Sequence, residues 1–192
     1  TIIAITLVAS TSWSFTNDEK LSAYIANLDS CETAIEYTEL AKKFGALEPS
    51  NSDDWYPDYY AAYCYVLSAF AESEFSTLDV KLDIAQKHID SAMLISPNND
   101  EVLGVASMIY SARIMVNPAE RGYKYGMKNS SVLEKASLIN PNNPRILYLI
   151  AQSKMYMPKE YGGGCENAKP FLDNALAKFG EEEKKNRPYP NW

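Results

Sequence analysis

The sequence predicts an all-α protein of antiparallel helical hairpins stacked in series, about eight helices in four hairpins. A pattern of small, large apolar and Ala residues, closed five residues later by a turn, recurs three times. It reads Ala85-x3-Ile89-x2-Ala92-x4-Pro97, Asn129-x3-Leu133-x2-Ala136-x4-Pro141 and Ala168-x3-Leu172-x2-Ala175-x4-Gly180. Self-similarity of this kind marks units too small to bury their own apolar face, which therefore depend on their neighbours. The segments between the signatures carry apolar residues at helical spacing. With 192 residues, 46% of them hydrophobic, the chain is long enough for one domain with a substantial core.

Asn17 and Asp18 are placed to cap a helix from Glu19, with Leu21, Tyr24, Ile25 and Leu28 along one face. After Asp29 and Ser30, a second helix presents Ala34, Ile35, Thr38, Ala41 and Phe44 as a stripe ending at Gly45 and Pro49. Polar residues from Glu48 to Asp54 join this hairpin to the next. Pro57 opens a third helix through Tyr60, Tyr63, Cys64 and Leu67 to about Glu72, and its partner runs from Leu78 to Ile95. Ser96-Pro-Asn-Asn-Asp100 turns the chain into a helix from Glu101 to about Val116. Asn117 to Tyr125 reads as a long turn before a return helix ending at Ile139. Asn143 and Pro144 then cap and open a helix to Tyr156, and a last one runs from Cys165 to Phe179 with Gly180 as its left-handed stop. Ala92 and Ala136 are 44 residues apart and Ala136 and Ala175 are 39 apart, and the intervening turns are expected to hold the excess over shorter hairpin repeats.

The small-large-small-Pro pattern, together with Leu147-x2-Ile150-Ala151, resembles the tetratricopeptide repeat family over residues 55–180. The resemblance implies a TPR-like right-handed solenoid whose first helix of each pair lines a concave surface. More narrowly, Val116-Asn-Pro-Ala-Glu-Arg-Gly-Tyr-Lys-Tyr125, Asn140-Pro-Asn-Asn-Pro-Arg145, Tyr161-Gly-Gly-Gly164 with Ala168, and Pro190-Asn-Trp192 resemble exported TPR-like proteins of Bacteroidetes-type bacteria. That implies an envelope or secreted scaffold and carries no assigned activity. Asn129 departs from the pattern, standing where a small apolar residue is usual, and Lys154 stands where a packing aromatic is usual.

Residues 1–14 match the apolar core and end of an export signal, with Ser12 and Ser14 as small residues at −3 and −1, and the run is too short to span a bilayer. The alternative is a buried N-terminal helix or strand. The expected organisation is a signal remnant at 1–14, a helical repeat domain at 15–180 and a tail at 181–192, in a periplasmic or secreted protein. Cys31, Cys64 and Cys165 are too widely spaced for thiolate metal ligation and suit helical core positions, although export would permit one disulfide.

A net charge of −7 with dispersed lysines argues against nucleic acid. His88 is the only histidine, expected on a solvated face, and no ligand cluster or triad surrounds it in sequence. Asp53-Asp54, Asp79 with Asp83, and Glu181 to Glu183 read as solubility and capping charges rather than acid-base pairs. Gly162-Gly-Gly164 lacks the Lys-Ser/Thr of a phosphate loop and reads as a tight turn. Asn129-Ser-Ser131 matches a glycosylation acceptor within an expected helix. No catalytic residue, cofactor or metal is assigned.

What remains is the groove that the resemblance implies. Matching by Pro57 and Pro144 puts Asp58, Tyr65 and Ser68, then Glu101, Met108 and Ser111, then Arg145, Tyr148, Gln152 and Met155 on it. Tyr65, Met108, Arg145, Tyr148, Gln152 and Met155 are the candidate contacts for a protein or peptide partner; the competing reading packs the Tyr and Met against neighbouring helices. The other function class is an envelope module binding a small molecule or glycan on a Tyr-rich concavity. In the long turn, Arg121 and Tyr125 are expected to order the loop through an internal carboxylate or carbonyl. The prolines of the tail stiffen a segment whose Tyr189 and Trp192 are expected to dock on the array, as a cap or in the groove.

Overall fold

The computed structural model describes residues 16–181 together with 190 and 192. The expected signal at 1–14 lies outside them. Eight α-helices make up the described chain: α1 (Asn17–Leu28), α2 (Ala34–Gly45), α3 (Tyr56–Phe70), α4 (Leu78–Ile95), α5 (Asp100–Val116), α6 (Pro118–Ile139), α7 (Pro144–Tyr156) and α8 (Cys165–Glu181). Short 3₁₀ turns at Phe75–Thr77 and Lys159–Tyr161 precede α4 and α8.

Local chemistry sets most of these boundaries. Capping boxes start α1 and α2: Thr16 and Thr33 accept from the amides of Glu19 and Glu36, whose carboxylates return to the cap amides. Asn99, Asn117 and Asn143 cap α5, α6 and α7 through their side-chain oxygens, and Pro118 and Pro144 occupy first turns where no amide is missed.

Each helix packs on the next, and α3, α5 and α7 also meet in series. This nearest-neighbour pattern is that of stacked hairpins. Helix α3 is buried nearly all round, from Tyr59 to Val66, as suits a helix enclosed by α2, α4 and α5. The repeat signatures face inward: Ala85, Ile89, Ala92, Leu133, Ala136, Ala168 and Ala175 are buried. Gly104 lets α5 approach α7, since a Cβ there would stand 3.0 Å from Ile146 Cδ1.

Four expectations are corrected. Asn117 to Tyr125 is not a loop: Asn117 alone turns the chain, and the segment forms the first turns of a 22-residue α6. The excess repeat length there is helical. Gly180 does not stop α8, which continues to Glu181 without a left-handed residue at that position. Leu172 is only half-buried, because among the described helices α8 packs on α7 alone. His88 is not on a solvated face: its Nδ1 lies 2.6 Å from Asp58 Oδ1 and its ring stacks on Tyr65.

Candidate functional site

Three groups of side chains are built by this packing. The first is an aromatic assembly centred on α3. Tyr60 stacks on Phe44 of α2 at 5.1 Å, Tyr59 meets Tyr60 edge-on at 5.0 Å, and Trp55 stacks on Tyr56 at 4.1 Å. Such pairs add to area burial through their quadrupoles. Burial raises the hydroxyls of Tyr59, Tyr60 and Tyr63 well above the ordinary phenol range, so all three remain neutral. Trp192 covers this assembly. Its indole stacks on Tyr63 at 5.1 Å and its N–H donates to Tyr59 Oη at 2.8 Å.

The second group is a buried polar centre between α5 and α7. Glu101 Oε1 accepts from Arg145 Nε at 2.9 Å and from Asn143 Nδ2 at 2.7 Å. The paired side chains are 1% and 4% exposed, so the interaction is internal. Burial pushes the Glu101 carboxyl up to about 7, against the opposing pull of Arg145 and Asn143. Arg145 and Glu101 therefore tie two helices together instead of facing a groove.

The third is a cationic aromatic face on α5 and α6. Tyr110 and Tyr125 stack with centroids 6.2 Å apart. Lys128 Nζ lies 5.5 Å from the Tyr110 ring and 5.8 Å from the Tyr125 ring, and Lys124 Nζ lies 5.4 Å from Tyr125. Beside them is a shallow depression of about 310 Å³ lined by Tyr110, Met127, Lys128, Ser131 and Val132. No described carboxylate pairs with Lys124 or Lys128.

The predicted partner-binding residues divide. Tyr65, Met108 and Arg145 are buried, and the competing packing reading describes Tyr65 and Met108; Tyr65 lies against His88, and its neighbour one turn on, Ser68, bonds Thr38 of α2. The face assigned by matching prolines points toward α2 and α4, so the register assumed for α3 does not hold. Tyr148, Gln152 and Met155 do form an exposed stripe on α7. Arg121 makes a two-pronged contact with Asp79 of α4, at 2.7 and 2.8 Å, and Arg113 reaches both Asp79 and Asp83. Those aspartates are arginine acceptors rather than free solubility charges. Tyr125 joins the α5–α6 aromatic pair. Tyr189 lies outside the described residues, whereas Trp192 rests on α3.

Other motifs resolve on geometry. The amides of Gly162, Gly163 and Gly164 donate to Lys159, Pro158 and Lys154 carbonyls, and a Cβ on Gly163 would stand 1.9 Å from Met157 O. The glycines serve a tight turn with no amide left for an anion. Asn129 is buried and its amide joins Ser107, Ser111 and Ser153, which removes it from glycosylation. Lys154 extends over the Phe171 ring at 5.4 Å, a cation–π contact in place of the usual packing aromatic. The three cysteines are free thiols. Among the described residues no group of three or more His, Cys, Asp or Glu could hold a metal, and no helix is long and apolar enough to cross a membrane. The α5–α6 face was legible as Lys124, Met127, Lys128 and Ser131 at helical spacing, a signal hidden by reading its start as a loop.

No family model and no curated protein matches the chain. Among solved structures, it is similar to the HusA haemophore from Porphyromonas gingivalis, with 33% identity, a TM-score of 0.81, and coverage of 92% of this chain and 87% of that one. That relative, a haemophore, is a binding protein rather than an enzyme. The chain belongs to the family of the HusA haemophore.

Proposed function

We propose that this chain is an exported, non-catalytic module that binds a planar tetrapyrrole of the haem class on an open helical surface. The observation that carries the reading is the likeness to a haemophore over 92% of the chain. The surface chemistry agrees with it. A tetrapyrrole is a flat apolar ring with two carboxylates, and it is recognised by stacking, by thioether or aliphatic contact and by paired cations. Stacked hairpins supply such faces without a catalytic constellation, and the TPR-like arrangement is supported by the serial packing of α3, α5 and α7. Export is supported by the signal-like pattern at residues 1–14.

Titration of the protein with haemin, followed at the Soret band, tests the proposal. A saturable shift at micromolar protein is expected; a spectrum that stays that of free haemin overturns it. A protein or peptide partner is the second reading, favoured by the exposed stripe Tyr148, Gln152 and Met155 on α7, an open strip of the kind extended ligands use.

A further inference from the structure

The aromatic assembly on α3 is already covered by Trp192, and the Glu101–Arg145 centre is closed, whereas the α5–α6 face is open, aromatic and cationic. Resting on the haem-class reading above, we infer that the α5–α6 depression beside Tyr110, Met127, Lys128, Ser131 and Val132 is the tetrapyrrole seat, with Lys124 and Lys128 receiving the ring carboxylates.

Complementarity of charge and shape carries the assignment. Lys124 and Lys128 are four residues apart on α6 and therefore neighbours on one helix face, a spacing that presents two ammonium groups side by side. Neither pairs with a carboxylate among the described residues; both rest over tyrosine rings, which hold the ammonium groups near the depression. The other cations of the region are spent: Arg113 on Asp79 and Asp83, Arg121 on Asp79. Asp90, whose charge acts on Tyr110, accepts from Gln86. Between the lysines and α5 the floor is apolar. Met127 is 60% exposed and Val132 is half-buried beside it. A thioether surface adapts to flat rings. The chain's net charge of −7 would repel a dicarboxylate at long range. Screening limits that repulsion to about 8 Å at physiological salt, so the two local ammonium groups decide the outcome.

The test uses the full chain and haemin. Lys124→Glu/Lys128→Glu is expected to weaken haemin at least about tenfold while circular dichroism and melting stay as in the parent, since both side chains are exposed, and Lys87→Glu on α4 is expected to change affinity less than about twofold. Haemin dimethyl ester, which keeps the ring and lacks the carboxylates, should bind the parent and the double variant alike. Met127→Ala should weaken both probes. If the parent binds haemin and the double variant binds equally well, or if the ester loses affinity in the double variant as haemin does, the seat lies elsewhere and the haem-class reading stands. If the parent fails to bind haemin, the reading and the seat fall together.

Discussion

Trp192 and Tyr59 stand 133 residues apart and are joined by an indole N–H to phenol hydrogen bond of 2.8 Å. With the Tyr63 stack, this contact lays an aromatic lid on the most buried helix of the array. Trp192→Ala is expected to destabilise the fold by about 1–3 kcal/mol, the sum of a neutral hydrogen bond and an aromatic pair plus lost area. Tyr59→Phe should cost about 1 kcal/mol. By contrast Tyr60 has a buried hydroxyl with no hydrogen-bond partner among the described residues, so Tyr60→Phe should be neutral or stabilising. Urea melts of the three variants check the ranking.

Removing one side of the Glu101–Arg145 pair should be severe. Arg145→Met leaves a buried carboxylate without its cation and is expected to cost about 3–5 kcal/mol; Glu101→Met/Arg145→Met should recover a good part of that loss. The pair also sets a pH dependence. Burial raises the folded carboxyl from 4.5 to about 7, so between these values the folded chain holds a proton that the unfolded chain has released. The contribution is fully present below pH 4.5 and is lost as pH rises through about 7, amounting to no more than about 3 kcal/mol. Denaturant melts from pH 4.5 to 8 should show this decline, and Glu101→Gln should flatten it.

Asn129 joins three helices. Its Oδ1 accepts from Ser107 Oγ of α5 at 2.6 Å, and its Nδ2 faces Ser111 of α5 and Ser153 of α7, each at 3.3 Å. Asn129→Ala is expected to cost about 2–3 kcal/mol because it leaves the buried Ser107 hydroxyl without its acceptor and opens a gap between α5 and α7, whereas the exposed Ser130→Ala should be within about 0.5 kcal/mol of the parent. Thermal melts decide this.

Arg121 pins the start of α6 to α4 through Asp79. The Arg121 guanidinium, with Arg113 beside it, holds the Asp79 carboxyl below its ordinary 3.8, against the smaller opposing effect of burial. This stabilisation is present above that value and is lost as pH falls through the lowered one. The carboxylate is partly exposed, so Arg121→Ala should cost no more than about 1 kcal/mol globally. Its local effect should be larger: amide hydrogen exchange in residues 118–125 should accelerate. Unchanged exchange there would mean that the Asn117 cap and Pro118 hold the first turns without the ion pair.

The helices and their inward faces were legible in the sequence because caps and periodicity are local. Asn143-Pro144 states the start of α7 within two residues, and Ala85, Ile89 and Ala92 state which side of α4 is buried, since residues three and four apart share a helix face. The same Asn-Pro signal stands at Asn117-Pro118, and the repeat period, compared with shorter hairpins, obscured it. The partners of polar side chains were not legible. Glu101 and Arg145 are 44 residues apart, Asp79 and Arg121 are 42 apart, and Asn129 departs from the repeat pattern for a reason visible only when three serines from two other helices converge on it. Sequence alone determined that about eight helices would stack as hairpins, because that follows from spacing along one chain. Tertiary structure decided which groove residues are buried and which face stays open, because the rotation of each helix about its axis is set by packing against neighbours and not by its own sequence period.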